Sequence, residues 1–176
     1  LYARVFGAER ALVRTQFVSG THALATVLFG LLRPGDGLVS ITGTPYDTMQ
    51  TVIGYAHEST GSLKEFGIKY DELPMQDGGV DLAGISRVIT PETKVALIQR
   101  SRGYSERRPL SIADIREITA RVKAANPACI CFVDNCYGEF VDTSEPTDVE
   151  TVDIMAGSLI KNPGGGLAPT GGYIAG

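Results

Sequence analysis

The sequence predicts an α/β fold, in which helices cover both faces of a mostly parallel sheet to give three layers. Short apolar runs alternate with longer amphipathic stretches along the chain, and glycine and proline separate them. The strand candidates read as continuous apolar runs, as in Val95–Gln99 and Ala128–Asp134, which is typical of parallel strands covered on both faces. With 176 residues, the chain has the length of one domain.

Seven apolar runs are predicted to be strands. They cover residues 11–18, 38–42, 68–73, 95–99, 128–134, 154–159 and 172–175. We expect the last of them to be the one antiparallel strand of the sheet.

Four stretches between these runs are predicted to be helices. They cover residues 21–32, 46–56, 80–89 and 112–125, the last being strongly amphipathic. Residues 1–6 resemble the middle of another helix, and the turn at Arg33–Gly37 consists of strong helix breakers.

Composition and charge argue against nucleic acid or membrane partners. The net charge is only −4, the basic residues are scattered, and 43% of the residues are hydrophobic. The longest apolar run, 23–32, has ten residues and is too short to span a bilayer. With no secretory signal pattern, the chain is predicted to be cytoplasmic. The three cysteines, at 129, 131 and 136, are predicted to be reduced thiols rather than metal ligands, because only two histidines accompany them.

Three groups of polar residues follow predicted strands, where α/β sheets bind their ligands. The first is Ser19-Gly20-Thr21, at the start of a helix whose free N–H groups favour a phosphate. Ser19 and Thr21 suit an ordinary helix cap equally well. The sequence leaves both interpretations open.

The other two groups centre on an aspartate and a lysine. Asp134 ends an apolar strand, and Lys161 lies between Ser158 and a glycine run at 164–166. A lysine that can form a Schiff base and an aspartate that can pair with a pyridinium nitrogen are what pyridoxal phosphate requires. Tyr46 follows another strand and could stack on the ring of that cofactor. We therefore predict a pyridoxal-phosphate site.

These residues together resemble the fold-type-I pyridoxal-phosphate enzymes. Within that group the chain is most similar to the cystathionine lyases and methionine γ-lyases, in the branch called aluminium-resistance proteins. The resemblance spans nearly the whole chain and is carried by Val18–Ala23, Leu32–Asp36, Tyr46-Asp47, Val133–Glu139 and Gly157–Gly165.

The resemblance implies a role for each matching residue. Lys161 would bind the cofactor covalently and move the α-proton, and Asp134 would pair with the pyridine nitrogen. Gly20, Thr21 and Ser158, with Ser19 beside them, would hold the phosphate. Tyr46 would stack on the ring and assist the leaving thiolate. The implied reaction eliminates a sulfur-bearing side chain from an amino acid, in a homodimer or homotetramer.

The chain also departs from this family. Ile160 stands where the better-known γ-lyases have a phosphate-binding threonine, and their Ser-Pro-x-Asn-Pro segment is replaced by Gln99–Ser105, in which Arg100 or Arg102 could meet a substrate carboxylate. Residues 1–176 would be the cofactor-binding large domain, a fragment without the family's N-terminal segment and small C-terminal domain. An aminotransferase and a non-catalytic α/β domain remain the alternatives.

Overall fold

The computed structural model describes residues 1–55 and 60–176, and within them seven strands form one sheet. The strands are β1 (Ala11–Arg14), β2 (Gly37–Ser40), β3 (Lys69–Glu72), β4 (Thr93–Gln99), β5 (Ile130–Asp134), β6 (Ile154–Ser158) and β7 (Gly172–Ala175). The helices are α1 (Tyr2–Val5), α2 (Gly20–Leu31), α3 (Asp47–Ile53), α4 (Ile85–Val88) and α5 (Ile112–Ala125), and a 3-10 turn covers Pro146–Asp148.

The strand order is β1-β7-β6-β5-β4-β2-β3, and β7 alone runs in the direction opposite to the other six strands. It is antiparallel to both β1 and β6, whereas the pairs β6–β5, β5–β4, β4–β2 and β2–β3 are parallel. The predicted α/β class, with a mostly parallel sheet and an antiparallel last strand, is confirmed. The carboxyl ends of β4, β5 and β6 therefore meet at one edge of the sheet.

Hydrophobic side chains cover both faces of the sheet. In β4, Ala96 and Ile98 pack on one face with the apolar stripe of α5, while Val95 and Leu97 pack on the other face with α2 and α3. Ser111 starts α5 with a capping box, in which its side chain and that of Asp114 each bind the other's backbone N–H. These contacts produce the three predicted layers.

Three of the predicted elements are clearly shorter in the structure. The strand predicted at 11–18 ends at Arg14, and residues 15–19 form the turn that leads to α2. Of the helix predicted at 80–89, only α4 forms, because the Asp81 side chain accepts a hydrogen bond from the Gly84 N–H and pairs with Arg87 at 2.6 Å, which stabilises a turn.

The helix predicted at 46–56 ends early because Gly54 adopts a left-handed conformation with φ of 81°. Ala56, the last residue of that prediction, lies outside the described residues. The remaining predicted strands and helices are present with ends that differ by up to two residues.

The cysteine thiols are free in the structure. Burial raises the pKa of Cys129 to about 11 and that of Cys131 to about 12, so both are neutral thiols near pH 7. Among the described residues, no helix has the length and apolar character needed to cross a bilayer.

Candidate active site

A cavity of about 630 Å³ lies at the sheet edge where β4, β5 and β6 end. Gln99, Asp134 and Ser158, the last residues of these three strands, all line it. The structure brings every residue of the predicted site to this one cavity. They are Ser19, Gly20, Thr21, Tyr46, Asp134, Ser158 and Lys161.

The start of α2 forms one wall of the cavity. The Ser19 side chain is the helix cap, since its Oγ accepts a hydrogen bond of 3.1 Å from the His22 N–H. Gly20 lies so close to β6 that a Cβ at this position would be 3.0 Å from the Cβ of Ser158 and 3.0 Å from the Sγ of Cys136. Thr21 shares a hydrogen bond of 2.7 Å with Thr48 through their hydroxyls. Gly20 and Thr21 belong to the first turn of α2, where backbone N–H groups have no partner within the helix, and both residues line the cavity.

Asp134 is the last residue of β5 and is 7% exposed. Its Oδ1 accepts a hydrogen bond of 3.1 Å from the Cys136 N–H. In the parts of the chain that the structure describes, no arginine or lysine forms an ion pair with this carboxylate. Burial raises the pKa of Asp134, because the charged form has lost solvent without gaining a cation.

Ser158 is the last residue of β6, and Lys161 lies three residues later, in the loop that follows the strand. The Ser158 side chain is buried, and its Oγ accepts a hydrogen bond from the Ile160 N–H. Three residues after Lys161 the loop turns back on itself, and Gly164 is required there, since a Cβ would lie 1.9 Å from the carbonyl oxygen of Leu159. The Lys161 Nζ lies 2.5 Å from the Tyr137 hydroxyl.

Tyr46, immediately before α3, also lines the cavity and is 37% exposed. Its N–H donates to the Gln99 side chain at 2.9 Å, and its hydroxyl lies 2.9 Å from the hydroxyl of Tyr104. This hydrogen bond is the main cause that raises the pKa of Tyr46 to about 12. Tyr46 is therefore a neutral phenol near pH 7.

Of Arg100 and Arg102, the two arginines that could meet a substrate carboxylate, only Arg102 has an exposed side chain. Arg100 is 2% exposed, and its guanidinium binds the protein's own chain. Its partners are the carbonyl oxygens of Leu110 and Gly138 and the side chains of Asn135, Asp142 and Glu145. A buried arginine needs such partners to offset the loss of water, and these leave it no freedom to reach a substrate. Arg102 is exposed and also lines the cavity.

Cys136, Tyr137 and Tyr104 carry polar side chains that also line the cavity, and they were not predicted from the sequence as site residues. Tyr137 has a positive φ of 66°, which is rare for a large side chain. Its position three residues after Asp134 and just before Gly138 was a signal that could have identified it.

Glu139, the residue after the cavity-lining Gly138, carries a buried carboxyl group. Glu139 is 1% exposed, and its Oε1 accepts a hydrogen bond of 2.8 Å from the Tyr173 hydroxyl. Its Oε2 is buried and has no hydrogen-bond partner among the described residues. Glu145, also buried, lies nearby and adds negative charge.

Comparison with known proteins identifies relatives along the whole chain. The family model described as methionine gamma-lyase matches residues 1–176. An uncharacterized protein of Bacillus subtilis, YnbB, is 53% identical over 178 residues, which cover 100% of this chain and 42% of that protein. The chain thus spans less than half the length of this relative.

Solved structures of similar proteins also match nearly the whole chain. A protein of Listeria monocytogenes, named as a proposed cystathionine beta-lyase involved in aluminium resistance, is 57% identical with a TM-score of 0.96. The match covers 99% of this chain and 43% of that one. A carbon-sulfur lyase involved in aluminium resistance from Clostridium novyi is 54% identical with a TM-score of 0.93, over 99% and 42% of the two chains. The resemblance predicted from the sequence is confirmed.

Proposed function

The chain belongs to the methionine gamma-lyase family, and we propose that the full-length protein is a pyridoxal-phosphate-dependent carbon–sulfur lyase. One observation carries the proposal: the amine of Lys161 and the buried carboxylate of Asp134 line the same cavity at the carboxyl edge of the sheet. A carboxylate and an amine are the two protein groups that this cofactor needs.

The environment of Asp134 supports a cationic ring nitrogen as its missing partner. The carboxylate is buried, and among the described residues it pairs with no cation. A protonated pyridine nitrogen would supply the positive charge that stabilises the ionised aspartate. In return, the carboxylate would keep that nitrogen protonated, and the protonated ring is the electron sink that the cofactor supplies when bound.

The start of α2 supports binding of a phosphate. Gly20 and Thr21 would donate backbone N–H groups at the positive end of the helix dipole, and the absence of a Cβ at Gly20 keeps the backbone close to the cavity. Among the described residues the Ser158 hydroxyl accepts a hydrogen bond from Ile160 and donates none, so it can donate to the same phosphate. Ser19 would act through the helix, because its hydroxyl is the cap.

The remaining residues would move protons. Lys161 would take the α-proton of the amino-acid substrate. Tyr46 keeps its own proton near pH 7, since its pKa is about 12, and so would donate it to the departing sulfur. The carbon–sulfur bond breaks and one water is consumed, giving a keto acid, ammonia and a thiol. The Listeria relative's name favours cystathionine as the substrate, with a methionine-like amino acid as the second choice.

The proposal is tested with the full-length protein, pyridoxal phosphate and L-cystathionine. We expect thiol and keto acid to appear in equal amounts without any added keto acid. Lys161→Ala should abolish this release, whereas Lys94→Ala, which removes an exposed lysine of β4 outside the cavity, should leave it unchanged. Turnover that requires a keto-acid acceptor and releases no thiol would instead identify an aminotransferase.

A further inference from the structure

Tyr137 makes the closest polar contact of the Lys161 side chain. Its hydroxyl lies 2.5 Å from Nζ, and Nζ lies 4.3 Å from the centroid of its ring. The backbone of Tyr137 has φ of 66°, in the left-handed region that a bulky side chain rarely adopts. Strain of this kind persists only where the surrounding structure imposes it, and it is concentrated at functional sites.

Two sets of contacts impose the strained conformation. From the sheet side, the buried Arg100 donates to the carbonyl oxygen of Gly138 at 2.7 Å, and a Cβ on Gly138 would lie 2.5 Å from the Cδ of Arg100. From the other side, the Asn162 side chain donates to the carbonyl oxygens of Tyr137 and Glu139, at 3.3 and 2.8 Å. The turn at residues 136–140 is thus held by hydrogen bonds from the buried Arg100 and from Asn162, the residue after Lys161.

We propose that Tyr137 is a positioning residue for Lys161, which holds the amine at the cavity wall before a carbonyl compound arrives. A free lysine side chain samples many rotamers, and fixing its amine removes an entropic cost from the reaction. A phenol can accept a hydrogen bond from an ammonium group and donate one to a neutral amine, so the contact serves both forms. This inference rests on the proposed reaction of Lys161 with an aldehyde.

Protein stability distinguishes this positioning role of Tyr137 from a purely structural one. If the side chain only stabilised the turn, its replacement would lower the stability of the protein. If the strained backbone serves to position Lys161, Tyr137→Asn should preserve or raise the melting temperature, because asparagine tolerates φ near 66°. The amine of Lys161 should nevertheless react more slowly in this variant.

The test measures how fast Lys161 reacts in the cofactor-free, full-length protein. Pyridoxal phosphate, or pyridoxal without the phosphate, is added, borohydride stops the reaction at set times, and mass spectrometry quantifies the label on the Lys161 peptide. We expect Tyr137→Phe, which removes only the hydroxyl, to slow labelling by both aldehydes about five- to tenfold. Tyr137→Asn should slow it at least as much without lowering the melting temperature.

Tyr55→Phe is the matched control, because Tyr55 is a partly exposed tyrosine outside the cavity, and it should label at the wild-type rate. Wild-type labelling in Tyr137→Phe would overturn this inference and leave the proposed function intact. A Tyr137→Asn protein that is both slower and less stable would also overturn it, in favour of a structural role. If the wild-type protein is not labelled on Lys161, the proposed function fails and this inference fails with it.

Discussion

The carboxyl group of Glu139 is buried between the Tyr173 hydroxyl and the acidic side chain of Glu145. Burial is the main cause that raises its pKa from 4.5 to about 7. A negative charge at this position would leave Oε2 without a hydrogen-bond donor among the described residues. The neutral acid is therefore the form that the fold favours.

This raised pKa makes the stability of the protein depend on pH. Between pH 4.5 and 7 the folded state binds a proton that the unfolded state has lost, so the free energy of unfolding falls as the pH rises and then levels off. The fall due to Glu139 alone is about 3 kcal/mol or less. Glu139→Gln, which stays neutral, should lack this part of the decrease.

Urea unfolding at pH 5, 6, 7 and 8 measures this effect, and comparison with the wild-type protein isolates Glu139 from the other titrating groups. The same decrease with pH in both proteins would contradict the prediction.

At the level of single residues, the sequence predicted those site residues that carry a local signal. Asp134 ends an apolar strand, and Lys161 lies between a serine and a glycine run. Arg100 has no such signal, because its partners Asp142 and Glu145 lie more than forty residues along the chain. Whether an arginine faces a substrate or the core depends on where such distant groups fold.

The N-terminal turn of α2 depends on the close approach of Gly20 to β6. A Cβ at this position would force Cys136 or Ser158 to move by a few tenths of an ångström. Gly20→Ala should therefore displace the N–H groups that we propose bind the phosphate and weaken pyridoxal-phosphate affinity about tenfold, as measured by spectroscopic titration of the full-length protein.

Gly30→Ala is the control within the same helix. A Cβ on Gly30 meets nothing within 4 Å, and alanine is the better helix former. It should leave the affinity unchanged and raise the free energy of unfolding by about 0.5–1 kcal/mol. An equal loss of affinity in both variants would show that Gly20 has no special role.

At the level of elements, periodicity and capping predicted α5 well, because its apolar stripe and its Ser111 cap are both local. The helix predicted at 80–89 was too long, because Asp81 stabilises a turn through side-chain contacts that hydrophobic spacing does not report. The strand predicted at 11–18 was too long because β1 is an edge strand whose partner in the described sheet, β7, has four residues. Its length is set by a partner about 160 residues away along the chain.

For the whole molecule, the sheet topology explains why distant residues meet. Parallel pairing of β4, β5 and β6 brings their carboxyl ends together, and α2 adds its start to the same edge. The sequence predicted this edge from the class of fold, but the strand order came only from the structure. The chain spans 43% of its Listeria relative, so the activity we propose is that of the full-length protein.

If Lys161 is the residue that binds pyridoxal phosphate, peptide mapping after borohydride reduction will find the cofactor attached to it. The full-length protein is saturated with the cofactor, reduced and digested, and the modified peptide is sequenced by mass spectrometry. We predict one modified residue, Lys161, and no modification in Lys161→Ala. Label on another lysine, or none at all in the wild-type protein, would show that Lys161 does not bind the cofactor.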